Sequence, residues 1–276
     1  MAKEQKNLGT KTVFAVINLK DSEEQQAGTI RYAANLAVNL GLELVIHPSK
    51  GFGEFVKASE VARQIKRTIP DAEMRVSKER IGTLNFFSSL QSIAVKENAA
   101  YMVIQTEKET ARMLGNTIWG NVEKTIIPIL IVPHGVEFVP YKRITIALDA
   151  DRNLQKMNVV EVLAKSFAST INIFQENVED ESKKTLILNS LKHVKTFLVK
   201  QKIPFIVIPA RKRINFPKHL CKYSAKHADL LIVEVGQGKI DAVVKQNIET
   251  LLTIDQRAQP VLLVKTKQVG KFQNFR

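Results

Sequence analysis

The residues of this chain that could bind a charged partner are concentrated in one basic stretch. Between Ser182 and Ala228 there are twelve lysines and arginines and not one aspartate or glutamate. Positive charge of this density attracts phosphates and carboxylates, so it favours an acidic protein or a nucleic acid as partner. A solvated basic surface accounts for the same pattern, because few aromatic side chains interleave with the basic residues. The candidate face for an anionic partner consists of Arg211, Lys212, Arg213, Lys218, Lys222 and Lys226.

Side chains that commonly carry catalysis or hold metals form no recognisable constellation in the sequence. The five histidines lack metal-ligand spacing, and the single cysteine, Cys221, excludes an intramolecular disulfide. Cys221 lies in a predicted helix near lysines, which would lower the thiol pKa if the sulfur were exposed; a buried, inert cysteine is the alternative. No nucleophile elbow and no Walker loop occur. We therefore expect no metal and no enzyme activity, with slow ATP hydrolysis left open.

The elements that must position these residues occur twice along the chain. Lys11–Asn18 (KTVFAVIN) returns as Lys142–Asp149 (KRITIALD) after 131 residues, and Pro128–Val132 (PILIV) returns as Pro260–Val264 (PVLLV) after 132. This period is that of a whole domain. The predicted organisation is a polar N-terminal tail at residues 1–10, one domain at 11–136, a second at 137–267 and a basic C-terminal tail at 268–276.

Within each half, short apolar strands alternate with helices of amphipathic spacing. Strands are predicted at residues 13–17, 42–46, 72–76, 102–104 and 129–132 of the first half, and at 144–148, 170–174, 204–208, 230–233 and 261–264 of the second. Such alternation predicts right-handed crossovers and a parallel sheet covered on both faces. We therefore expect an α/β fold of two tandem five-stranded parallel-sheet sandwiches, each Rossmann-like.

The composition is that of a globular protein with a strong positive charge. Of 276 residues 45% are apolar, and the net charge is +14. No run approaches the ~18 apolar residues needed to span a bilayer, and the first eleven residues lack the apolar stretch of a signal peptide. We expect a cytoplasmic protein that does not associate with membranes.

The order and spacing of these motifs resemble the universal stress protein family in its tandem, two-domain form. The opening strand of each half ends in a polar residue, Asn18 or Asp149, and each half closes with a proline and an apolar strand. A helix in the first half starts at Leu114–Trp119 (LGNTIW), where family members commonly carry Gly-Ser or Gly-Thr. The resemblance covers roughly residues 11–133 and 141–265. It implies the adenine-nucleotide alpha hydrolase-like version of the fold and a non-enzymatic role in stress response.

The resemblance also implies a candidate nucleotide site in each half. In members that bind ATP, an aspartate after the first strand holds the ribose or adenine. A glycine-rich loop after the fourth strand wraps the phosphates, because glycines let the backbone approach and a helix N-terminus offers N–H groups. Carried onto this chain, the candidate nucleotide-binding residues are Asn18, Gly115, Asn116, Asp149, Gly236 and Gly238. The nucleotide would be ATP or AMP.

Both halves depart from the nucleotide-binding pattern. The first half has Asn18 in place of aspartate, and its loop carries Glu107 and Glu109, which would repel phosphate. The second half keeps Asp149, but Ile248 stands where a hydroxyl residue is expected. Capping and turn roles explain the same polar residues and glycines. A degenerate nucleotide site and an interaction protein without nucleotide, using the basic face, are therefore both open.

A further implication of the resemblance concerns the fifth strands. In the family, the fifth strands of two domains often pair across a two-fold axis. In this chain the equivalent strands are Ile129–Val132 and Val261–Val264. Their pairing would make an internal pseudo-dimer and cover two sheet edges that are otherwise exposed. A homodimer is a further possibility.

Overall fold

The structure is a computed structural model that describes residues 10–17, 22–48, 52–79, 86–106, 126–149, 156–211, 215–235, 245–246, 248–249 and 259–265. The backbone contacts divide the chain into two compact units, residues 1–103 and 104–276. This division places the fifth strand of the first repeat in the second unit. It differs from the boundary at residue 136 that the repeat predicts.

The first unit is a parallel α/β structure. Its strands are β1 (Thr12–Ile17), β2 (Glu43–Pro48), β3 (Met74–Val76) and most of β4 (Ala99–Thr106), and its helices are α1 (Glu23–Leu40), α2 (Phe52–Thr68) and α3 (Phe86–Lys96). The strand order is β3-β2-β1-β4, and β2 pairs in parallel with β1 and β3. The strands β1 and β2 are buried along almost their whole length, because helices cover both faces of a parallel sheet.

The sequence predicts a helix between Ser22 and Gly41, and local signals fix both ends of the helix observed there, α1. Ser22 and Gln25 form a capping box, in which Ser22 N–H donates to Gln25 Oε1 (2.7 Å) and Gln25 N–H to Ser22 Oγ (3.3 Å). The helix ends at Gly41, whose φ of 64° is left-handed and suits a residue without a Cβ.

The second unit contains the remaining described strands and helices. The strands are β5 (Ile129–Pro133), β6 (Arg143–Leu148), β7 (Thr170–Gln175), β8 (Phe205–Pro209), β9 (Leu230–Val235) and β10 (Val261–Lys265), and the helices are α4 (Lys156–Phe167), α5 (Glu181–Lys200) and α6 (Phe216–His227). The order is β5-β10-β9-β6-β7-β8. From β10 to β8 every pairing is parallel, so the second repeat forms the predicted five-stranded parallel sheet.

The predicted pairing of the two fifth strands is confirmed. β5 and β10 run antiparallel, with Leu262 opposite Leu130. The sequence also predicts a helix at residues 115–126, of which 115–125 lie outside the described residues. It predicts another at 240–253, of which only 245–246 and 248–249 are described, as helical. In the described parts of the chain, no helix has the length and apolar character needed to cross a membrane.

Candidate functional site

The strand order of the second unit reverses between β6 and β9. β7 and β8 follow β6 on one side of the sheet. The next strands along the chain, β9 and β10, lie on the other side of β6. In open α/β sheets, ligands bind at such a switch point, in the crevice beyond the carboxyl ends of the strands. Asp149 comes directly after β6, and Glu234 is the penultimate residue of β9. Both carboxylates therefore belong to the strand ends that border this crevice.

A buried ion pair lies at the same strand ends. Lys156, the first described residue of α4, has its Nζ 3.4 Å from Glu234 Oε2, and the two side chains are 5% and 6% exposed. The same Nζ donates a hydrogen bond to the Ala147 carbonyl oxygen at 2.7 Å. Because α4 packs against β9, the helix start presents the ammonium group to the strand end. We call Asp149, Lys156 and Glu234 the crevice cluster.

Within the crevice cluster, the two carboxyl groups outnumber the single ammonium group. Burial raises the pKa of Glu234, nearby Lys156 lowers it in part, and Asp149 raises it further. Neither carboxylate oxygen of Glu234 accepts a hydrogen bond from the described residues, so its contact with Lys156 is an ion pair only. Glu234 is thus paired with Lys156 and also lies near the carboxylate of Asp149. Carboxylates accept hydrogen bonds from hydroxyl and amino groups, whereas they repel phosphate.

The structure describes one of the six candidate nucleotide-binding residues. Asp149 is half-buried beside the ion pair. Asn18, Gly115, Asn116, Gly236 and Gly238 lie outside the described residues. Sequence patterns do not single out Lys156 or Glu234. The signal for Glu234 was a lone acid near the end of the apolar run Leu230–Val235, one residue beyond the predicted end of the strand.

The lysines of the candidate basic face form one exposed row on α6. Lys218, Lys222 and Lys226 are all exposed and follow one another at intervals of four residues, which places them on one side of the helix. Arg211 is exposed as well, whereas Lys212 and Arg213 lie outside the described residues.

Aromatic packing on the other side of α6 holds the lysine row outward. The ring of Phe174 on β7 contacts Phe216, His219 and Tyr223, with ring centroids at 5.7, 5.2 and 5.1 Å. These three residues of α6 lie on the face that packs onto the sheet. The helix therefore turns its lysine row to solvent.

Cys221 and His47 are buried titratable side chains that lie outside the crevice cluster. Cys221 is buried, and burial raises its thiol pKa to about 12, so this cysteine has the burial that the inert alternative requires. His47, the fifth residue of β2, is fully buried, and neither ring nitrogen has a hydrogen-bond partner among the described residues. Burial lowers the pKa of His47 to about 4, against the opposing effect of Glu97 and Glu79. No group of three metal-binding side chains occurs in the described residues.

Known structures share this fold along almost the whole chain. A universal stress protein from Archaeoglobus fulgidus aligns with a TM-score of 0.59 at 15% identity, covering 92% of this chain and 97% of that one. A putative universal stress protein from Pseudomonas aeruginosa aligns with a TM-score of 0.59 at 11% identity, covering 93% and 94%. The cytoplasmic domain of a prokaryotic cation chloride cotransporter aligns with a TM-score of 0.57 at 8% identity, covering 92% and 95%.

These alignments establish the fold, which is that of universal stress proteins, as the sequence motifs predict. No protein-family model matches the sequence, and no curated protein matches it.

Proposed function

We propose that this chain is a non-enzymatic stress-response protein of the universal stress type, whose second half binds the nucleoside part of an adenine nucleotide. The likeness to two universal stress proteins over more than nine-tenths of the chain supports the family role. The observation that carries the binding site is the crevice cluster at the β6/β9 switch point. The site is degenerate, because its described residues offer two carboxylates and one ammonium group that is already paired.

The charges of the crevice cluster favour a nucleoside over a triphosphate. Asp149 is half-buried, and a carboxylate has several acceptor positions, so it can accept hydrogen bonds from ribose hydroxyls or from the adenine amino group. A triphosphate placed against Asp149 would be repelled by its carboxylate, and the only ammonium group of the cluster is already paired with Glu234. Adenosine and AMP are therefore the better ligands in this proposal, and hydrolysis of ATP forms no part of it.

The test is isothermal titration of AMP into the purified full-length protein and two variants. Asp149→Ala removes the half-buried carboxylate of the crevice. Asp71→Ala is the matched control, because Asp71 is an exposed aspartate in the turn after α2. We expect saturable binding to the parent chain and to Asp71→Ala, with affinity reduced by about tenfold or more in Asp149→Ala. Equal AMP affinity of all three proteins would show that the nucleotide binds somewhere other than this crevice.

A second candidate function is that of an interaction protein that holds an anionic partner on the basic face. The exposed row of Lys218, Lys222 and Lys226 on α6 favours it. Attraction of this kind weakens as salt screens the charges. The Lys218→Glu/Lys222→Glu variant should lose most of its binding to polyglutamate and RNA at low salt. Unchanged binding by this variant would contradict the second candidate function.

A further inference from the structure

The outer edge of the sheet in the second unit presents unpaired backbone groups. Among the described strands, β8 is the last of the sheet and pairs only with β7, in parallel. The N–H group of Ile171 on β7 donates a hydrogen bond to the Pro204 carbonyl oxygen at 2.9 Å. In a parallel pair this register directs the backbone groups of the even-numbered residues of β8 to β7. The N–H and C=O groups of Phe205 and Val207 therefore point away from the sheet.

This edge lacks the features that protect other sheet edges. At the edge of the first unit, β3 is only three residues long, and its Arg75 pairs with Glu43 at 2.7 Å and with Glu97. β8 is five residues long and carries no charged side chain. Charged residues and short length are the usual means of blocking an edge, and Pro209 interrupts β8 only at its last position. The β8 edge is therefore open to strand addition.

The side chain beside the open edge is apolar and exposed. Ile206 is 52% exposed, and it lies opposite Asn172 in the β7–β8 register. Asn172 Nδ2 donates to the His227 carbonyl oxygen of α6 at 3.4 Å, so Asn172 and Ile206 share the face of the sheet that α6 covers. A strand added to β8 would place every second side chain on this face next to Ile206.

The charge around the edge identifies the kind of partner. β8 lies inside the stretch Ser182–Ala228, which has twelve basic residues and no acidic one. Lys200 before the strand and Arg211 after it are exposed. A second copy of this chain paired edge to edge would bring the same positive stretch against itself, which is unfavourable. An acidic segment meets no such repulsion.

We propose that the β8 edge binds an extended acidic peptide by strand addition. The outward backbone groups of Phe205 and Val207 supply the main-chain hydrogen bonds, and apolar residues of the peptide pack beside Ile206. Acidic residues of the peptide are attracted by the surrounding lysines and arginines. This proposal rests on the second candidate function, since it specifies the partner and the place where it binds.

The test uses a short synthetic peptide of alternating valine and glutamate and measures its affinity for the full-length protein. Val207→Pro removes the outward N–H group at a position where an edge strand tolerates proline. Val207→Thr is the matched control, because it keeps that N–H group and a β-branched side chain. We expect Val207→Pro to weaken binding by about tenfold or more and Val207→Thr to leave it near the parent value.

The peptide provides a second measurement that does not depend on the folding of Val207→Pro. N-methylation of every second peptide residue blocks one of the two hydrogen-bonding edges of the peptide. Of two peptides, one methylated at the odd residues and one at the even residues, one should therefore bind and the other should not. Equal binding by both methylated peptides, or no binding of the unmodified peptide, would overturn the proposal. If Lys218→Glu/Lys222→Glu abolishes binding while Val207→Pro and both methylated peptides bind normally, the basic face holds the partner and the edge proposal is wrong. RNA binding without peptide binding would likewise overturn it.

Discussion

Lys156 and Glu234 form an ion pair at the β6/β9 switch point, with Nζ 3.4 Å from Oε2 and with side chains that are 5% and 6% exposed. Because both side chains are buried, water does little to stabilise either charge. Each charge is therefore stabilised largely by the other. Removing one partner of a buried pair leaves an uncompensated charge, whereas replacing both by apolar groups is often neutral or stabilising. The pair therefore matters more for the integrity of the crevice than for net stability.

We predict that Lys156→Met lowers the free energy of unfolding by about 3–5 kcal/mol at neutral pH. Lys156→Met/Glu234→Met should recover most of this loss, because no buried charge then remains. Urea unfolding of the parent and both variants measures the difference. The account of the pair fails if the double variant is no more stable than the single one.

We predict that His47 makes the protein sensitive to acid. The pKa of His47 is lowered from 6.5 to about 4, so the unfolded chain binds the proton more readily than the folded one. The stability that neutral His47 contributes is complete above about pH 6.5 and is lost as pH falls through about 4, a change on the order of 3 kcal/mol.

The control for the acid sensitivity is His47→Phe, because Phe174 occupies the equivalent fifth position of β7 in the second repeat. Denaturant unfolding at about pH 7.5 and about pH 4.5 should show a smaller loss of stability in this variant than in the parent chain. An identical loss in both proteins would assign the acid sensitivity to other groups.

We predict that Cys221 does not react with thiol reagents in the folded protein. Its thiol is buried and its pKa is raised to about 12, so the reactive thiolate is scarce at neutral pH. Labelling by a chromogenic disulfide should be about a hundredfold or more slower in native buffer than in denaturant. Rapid labelling of the native protein would mean that the sulfur is accessible.

We predict that a disulfide joins β5 to β10 in a Leu130→Cys/Leu262→Cys variant made on a Cys221→Ser background. Leu130 and Leu262 lie opposite each other, and the Cα separation in antiparallel pairs, about 4.5–5.5 Å, suits a disulfide. Leu130→Cys/Leu263→Cys is the control, because Leu263 faces the opposite side of the sheet. Mass spectrometry of oxidised protein should find the crosslink in the first pair alone; a crosslink in the control pair alone would contradict the register.

The repeats and the hydrophobic patterns predict most of the fold. Apolar runs bounded by polar residues locate every described strand within a few residues, and the serine and glycine that flank α1 locate its ends, because caps and burial are local signals. The resemblance to universal stress proteins predicts that β5 and β10 pair.

The crevice cluster is less predictable from sequence. Asp149 was recognised from its position after an apolar strand, but Lys156 gave no signal, since a lysine at a helix start is normally exposed. Its burial results from tertiary packing of α4 against β9, and sequence spacing does not encode the 3.4 Å contact with Glu234. The openness of the β8 edge likewise depends on strand order, which local sequence patterns do not specify.

Calorimetric titration of adenosine and of ATP into the unmodified protein at physiological salt gives the ratio of their affinities. This ratio shows whether the crevice cluster binds a nucleoside in preference to a triphosphate. The crevice cluster has two carboxylates and one paired ammonium group, so the account predicts that adenosine binds at least as tightly as ATP. ATP binding that is about a hundredfold tighter than adenosine binding would contradict it, because the phosphates would then provide most of the affinity.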